Sequence, residues 1–351
     1  MLSSYRACLA SLLVLGLLGC GDQKKSADDD GTTSTIGSGG SGGTGIIGGE
    51  GGAAGAVDCG DDEEFIPLLG EAPEACAQVC QTPGVVIESE EDRDEFAERG
   101  CEALIGSLRV AATDIDDLNG LEDLRIVDGS LAIASSGLIG VAGLDALEVV
   151  TRDVELISNE ELDSLQGLSS LREIQGGLTI ADNATLDTLG GLEALELAEN
   201  VLVAANPRLN RADAFASLLG VVDFTLAAND SVTIVSAPGL EFLRGALSVT
   251  SNPSLDELVF DQLGRVARDV SIVGNSVLSV VDVSLLQTVG GSLNVSENPE
   301  LETLVLNSID SVGELNINGN PKLPQCQVDA LDESLEACSQ CEGNDEDASC
   351  D

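Results

Sequence analysis

The chain has 351 residues, with 62 acidic against 15 basic side chains and a formal net charge of −47. It holds no His and no Trp, one Tyr, six Phe and ten Cys, yet 43% of it is hydrophobic, enough to bury a core. Without His there is no Ser-His-Asp or Cys-His nucleophile system and no imidazole metal ligand. The charge repels nucleic acid and anionic lipid headgroups, and so few aromatics leave little for stacking on sugars or bases.

Residues 1–20 read MLSSYRACLASLLVLGLLGC, with Arg6 as the only charge. The apolar run 7–18 is shorter than the roughly 20 residues a membrane span needs. Its end, Leu17-Leu18-Gly19-Cys20, resembles a bacterial lipoprotein lipobox. The resemblance implies that 1–19 is a signal peptide and that Cys20 becomes the acylated N-terminus, a stable membrane anchor. Residues 20–57 then form a tether rich in Gly, Ser and Asp, a flexible coil with a reach of about 30–35 Å. Gly21 rather than Asp follows the Cys, and the lipoprotein resemblance then implies the bacterial outer membrane, surface exposure included, with a periplasm-facing lipoprotein as the alternative.

A Cys-rich N-terminal cap is expected over 58–103, with a helix near residues 90–99 opened by Ser89 and Asp92 as a capping box. Over 104–325 the chain repeats itself. The copies are LRVAAT at Leu108, LAIASS at Leu131, VELISN at Val154, LTIADN at Leu178, VLVAAN at Val201, FTLAAN at Phe224, LSVTSN at Leu247, VSIVGN at Val270, LNVSEN at Leu293 and LNINGN at Leu315. Successive starts lie 22–24 residues apart, too short a unit to bury its own apolar face. Stacking solves this. The pattern predicts a mainly β chain, a right-handed parallel β-helix or leucine-rich-repeat-like solenoid of about ten 22–24-residue coils, with disulfide-rich caps containing short helices.

Asn159, Asn183, Asn206, Asn229, Asn252, Asn275, Asn298 and Asn320 fall at the corner after each strand, where inward amides can satisfy turn backbone as a ladder. Thr113 and Ser136 take that place in the first two coils, where the ladder should be weaker. The repeats, with the preceding VIESEEDRDEFAERGCEALIGSLRV, resemble the receptor L-domain of growth-factor-receptor ectodomains over about residues 85–325. The family's modules usually have about half as many coils, and their aromatic or charged ligand contacts are not found here.

With Cys8 lost and Cys20 acylated, eight Cys remain: Cys59, Cys76, Cys80 and Cys101 before the repeats, Cys326, Cys338, Cys341 and Cys350 in a C-terminal cap over 326–351. Even sets in an exported chain predict disulfides, with the pairing open; a Cys₄ zinc site or a redox Cys338–Cys341 pair is the lesser reading. Residues 325–337 read as a closing helix. The acids read as a solvated surface. Asp114, Asp116 and Asp117 are the best candidates for a cation, although no calcium-loop motif surrounds them, and no cofactor is expected.

Twenty outward strand positions carry only two charges, Arg109 and Glu155. In the later coils they include Thr225, Ser248, Thr250, Ser271, Asn294, Ser296, Asn316 and Asn318, a candidate binding face for protein. The expected function is a lipid-anchored cell-envelope or surface binding or adhesion protein, not an enzyme. Its partners would be the membrane, through Cys20, and an unknown protein or cell-wall component, with no nucleic acid. A structural envelope spacer is the alternative, and a polysaccharide-active β-helix enzyme is the least favoured reading.

Overall fold

The computed structural model describes residues 77–350 together with the two-residue strand Glu63–Glu64. The signal, the tether, Cys20, Cys59 and Cys76 lie outside the described residues.

Each repeat opens with apolar residues two apart, so a short strand points both to one side. Twelve such strands, from Val85–Ile87 to Cys338–Gln340, stack in parallel into one sheet. The solenoid therefore has about 11 turns rather than ten, because each segment read as a cap adds a strand. Two further parallel rows complete each coil. One precedes the main strand, as in Ala103–Ile105, Ile126–Asp128 and Val149–Val150. The other follows it, from Arg211–Ala212 to Thr303–Val305. The core lies between the rows. The coil that starts at Leu247 contributes Val249, Leu255, Leu258, Phe260, Leu263 and Val266, all fully buried. Each such side chain contributes about 1.5–3 kcal/mol relative to exposure.

The amides run through this core as one directed chain. Each ladder Asn presents its side-chain oxygen to the preceding coil, and from Asn159 to Asn298 each backbone N–H donates to the next coil's Asn. Asn206 donates N–H and Nδ2 to Asn229 Oδ1 at 3.0 and 3.2 Å, and Asn229 donates to Asn252 Oδ1 at 3.1 and 3.4 Å. Each Nδ2 also reaches a strand carbonyl of the preceding coil, as Asn229 does to Val203 O at 3.1 Å. All eight predicted ladder Asn are fully buried. Ser136 begins the chain, donating N–H and Oγ to Asn159 Oδ1 at 3.0 and 2.8 Å. Thr113 is exposed instead, and Ala112 is the buried residue at that corner.

The ladder extends one coil beyond the repeats. Asn320 Nδ2 donates to Asn344 Oδ1 at 3.3 Å, and Asn344 Nδ2 donates to Gln325 Oε1 at 3.1 Å. Gln325 Nε2 in turn donates to Asp329 Oδ1 at 2.8 Å. A row of aligned amides is polarised along its length, and a carboxylate at its donor end is the favourable terminator.

The residue before each ladder Asn turns the chain through the left-handed region. Ser158, Asp182, Ala205, Ala228, Ser251 and Glu297 do so at φ of 55–58°. Away from glycine this conformation costs about 1–2 kcal/mol; the two buried donors each Asn satisfies at the corner offset it. Glycine is required at Gly143, where φ is +100° and a Cβ would stand 2.0 Å from Leu118 O.

A second row of side-chain acceptors precedes the main strands. Ser107 accepts from Ser130 N at 3.1 Å, Asp153 from Gly177 N at 2.9 Å, Asn200 from Asp223 N at 3.2 Å, Asp223 from Ala246 N at 2.7 Å and Asp269 from Ser292 N at 2.8 Å. Some acids that read as solvated surface thus staple coil to coil.

Helices close both ends. Glu90–Ala97 (α1) buries Phe96 against the first coils, and Ser89 Oγ accepts from Asp92 N at 3.2 Å. The Asp92 carboxylate accepts from Ser89 Oγ and Glu88 N, which holds its pKa below the usual value. Gln325–Leu335 (α2) buries Val328 and ends two residues short of the predicted helix, at Glu336 with φ of 50°. Cys80 pairs with Cys101, Cys326 with Cys350 and Cys338 with Cys341.

Candidate functional site

The main sheet brings the predicted face together as two columns. Thr225, Ser248, Ser271, Asn294 and Asn316 follow one another across strands in register. Gln340 continues this column past Asn316. Thr250, Val273, Ser296 and Asn318 form the adjacent column.

The columns are not equally accessible. Thr225, Ser248, Ser271, Asn294 and Asn316 are half-buried, as side chains standing on a closely paired parallel sheet must be. Ser296 is buried at 7% exposure, which removes it from the candidate contacts. Ala181, Ala204 and Ala227, earlier in the same column, are buried too. The second column therefore exposes fewer polar groups than alternation predicts; Thr250 and Asn318 remain half-buried.

The first column is an uncharged strip. At about 4.8 Å per strand, its first five members span roughly 19 Å. Hydroxyls and amides along it can donate and accept, and an approaching chain desolvates no charge there. Its Asn316 Oδ1 is buried without a hydrogen-bond partner. At the C-terminal end, Asn318, Cys338, Ser339, Gln340, Cys341 and Glu342 line an open concavity of about 500 Å³. Asp187, Asp256 and Glu302 belong to the coil side beyond the ladder, where their backbones stack with those of Asn210, Thr233 and Ser279.

The cation candidates do not converge. Asp117 is held by Arg93 at 3.4 Å and accepts from Asn119 Nδ2 at 2.6 Å, while Asp114 and Asp116 are exposed. Among the described residues no three Cys, Asp or Glu side chains group as a metal site. The six described cap cysteines are all in disulfides, so they present no thiolate set for zinc. No helix among the described residues is long and apolar enough to cross a membrane.

Sequence reasoning missed Asn344, Gln325 and Asp329. A signal for Asn344 existed: Gly343-Asn344 repeats Gly274-Asn275 and Gly319-Asn320. It was hidden because cysteines replace the strand's apolar residues and a register shift between Leu315 and Asn316 adds a residue. No family model matches the chain, and no curated protein matches it.

Proposed function

We propose that the protein is a lipid-anchored cell-envelope module that binds a protein partner through the main-sheet strip. The carrying observation is the uncharged column Thr225, Ser248, Ser271, Asn294 and Asn316 on a chain of net charge −47. A surface that excludes charge while acids crowd the rest of the molecule is one a partner can cover at low desolvation cost. The anchor reading rests on Cys20 and its apolar leader, and the placement on the outer membrane rests on Gly21. The likeness to receptor L-domains, which are recognition modules, points the same way. The second reading is a spacer without a discrete ligand; the regular coil stacking favours it, since rigidity alone would serve that role.

Replacing Ser248, Ser271 and Asn294 together by Lys puts three charges on the strip. The expected result is a folded protein, by circular dichroism, that loses its captured partner and the associated surface phenotype. Retention of both, with loss on placing Lys at Asp187, Asp256 and Glu302 instead, moves function to the opposite flank; loss from neither supports the spacer.

Cys20→Ser is expected to leave an unprocessed precursor that takes up no labelled palmitate, whereas the native chain is labelled. Since Tyr5 is the only Tyr and Trp is absent, processing also removes nearly all absorbance at 280 nm. Equal labelling of both chains contradicts the anchor.

A further inference from the structure

The main sheet carries a second patch, in its earlier coils. The first outward column begins Val86, Arg109, Ala132, Glu155, Thr179, each paired in register with the next. Arg109 and Glu155 are exposed, and Ala132 between them is half-buried. The adjacent outward column is apolar over the same coils, with Ala111, Ala134 and Ile157 half-buried. The two charges are opposite in sign and stand one strand to either side of Ala132, about 9.6 Å apart. Among the described residues neither enters a salt bridge.

One base and one acid placed symmetrically about a neutral centre make a patch that is complementary to itself. When two copies meet face to face, their two-fold axis lies in the plane between the sheets. An axis along the stacking direction sets Arg109 against Arg109 and Glu155 against Glu155. An axis along the strands, over Ala132, reverses the order of the coils and sets each Arg109 against the other copy's Glu155. The same operation sets Val86 against Thr179 and Ala111 against Ile157, and sets Ala132 and Ala134 each against itself. Acids around the patch then fall opposite neutral residues: Asp153 opposite Ser107, Glu88 opposite Ala181 and Asp182 opposite Ser89. The closest like charges, Glu88 and the second copy's Asp182, sit at the rim, one position off register.

We propose that this patch joins two copies of the chain, their solenoids antiparallel and related by a two-fold axis over Ala132. Charge complementarity selects the occupant: a partner must present an acid and a base at the same spacing in reverse order, which a second copy does. The alanines let the sheets approach, and the two Arg–Glu pairs fix the register. The five strands from Val86 to Thr179 span roughly 19 Å, a small contact, so association is weak. The net charge of −47 opposes it, and salt favours the dimer by screening that repulsion. Overlap ends at Val86 and Thr179, which leaves the strip from Thr225 to Asn316 uncovered on both copies.

The test is a charge swap on the full chain, read by sedimentation equilibrium at physiological salt. Arg109→Glu and Glu155→Arg should each weaken the dimer at least tenfold, since each sets two like-charged pairs face to face. The double variant, with both pairs inverted, should recover the native affinity to within a factor of about three. Mixing the two single variants should give a heterodimer of native affinity, because every facing pair is then again of opposite sign. Ala132→Cys, on the axis, should be linked into a dimer by a short bismaleimide; Ser271→Cys, on the uncovered strip, should not. Circular dichroism confirms that each variant folds. A native chain that stays monomeric at millimolar concentration, a dimer indifferent to both reversals, or a folded double variant that stays monomeric overturns the proposal. Linkage through Ser271→Cys as efficient as through Ala132→Cys places the contact on another surface and also overturns it.

Discussion

Asn229→Leu is expected to destabilise the solenoid by about 3–5 kcal/mol. The reason lies in the direction of the ladder. Asn229 Oδ1 accepts from both the backbone N–H and the Nδ2 of Asn206, and its own Nδ2 reaches Val203 O and Ala227 O, each at 3.1 Å. Leucine fits the volume but takes away an acceptor from two donors and a donor from two carbonyls. Asn206 Nδ2 keeps Ile180 O and Ala204 O, so its loss is partial. The Asn206 N–H has no second acceptor and is orphaned in a fully buried site, at about 1–3 kcal/mol by itself. Ser136→Ala, at the start of the chain, removes one O–H donor and leaves the backbone bond to Asn159, so it should cost only about 1 kcal/mol. Urea unfolding of the two variants measures the difference. Equal losses would mean that the amides do not carry the corners.

Phe224→Ala is expected to cost about 4–6 kcal/mol. Phe224 sits in the inward row between Val201 and Leu247 and is fully buried. It is also the middle ring of three. Its centroid lies 5.6 Å from Phe215 at 88° and 5.5 Å from Phe260 at 79°, both edge-to-face. Truncation leaves a cavity in a stack whose backbone is fixed by pairing on both sides, so little collapse can fill it. It also removes both ring contacts, each worth about 0.5–1.5 kcal/mol beyond area. Phe215→Ala and Phe260→Ala each remove one such contact and should cost about 1 kcal/mol less. Phe224→Leu, which keeps most of the volume, should cost under about 2 kcal/mol. A series in which the three alanine variants are equal would show that the rings act only as bulk.

Much of this architecture was legible because the period constrains it. Leu108, Leu131, Val154 and their successors recur with two-residue alternation, and such a pattern can bury its apolar side only by stacking. The corner Asn could be read for the same reason: a polar residue at an inward position needs partners, and its equivalents in the neighbouring coils are the nearest. Conformation at the preceding residue was not legible. Ala205, Ala228 and Glu297 are poor choices for a left-handed turn, and tertiary pairing, not local preference, puts them there. The staples at Asp153, Asp223 and Asp269 were hidden in a general acidic excess, although their position just before the strand repeats with the period. At the C-terminal cap cysteines interrupt the apolar pattern, and Cys338–Gln340 pairs with one register shift; at the other end Val85–Ile87 pairs in register with Leu108–Val110.

In the candidate face, Thr225, Ser248, Ser271 and Asn294 share one half-buried column, as alternation predicts, whereas Ser296 is buried. Two-residue periodicity assigns a side of the sheet but not an exposure: Thr250 and Ser296 precede the same left-handed corner, yet Thr250 is half-buried and Ser296 is buried.

The most direct test of the proposed function is photo-cross-linking in intact cells from a benzophenone side chain placed at Ser271, in the middle of the strip. A matched probe at Glu257, exposed on the row beyond the ladder, is the control. The account predicts one discrete protein adduct from Ser271, missing from Glu257 and lost when Ser248 and Asn294 are changed to Lys. No adduct from Ser271, or the same adducts from both positions, would contradict it.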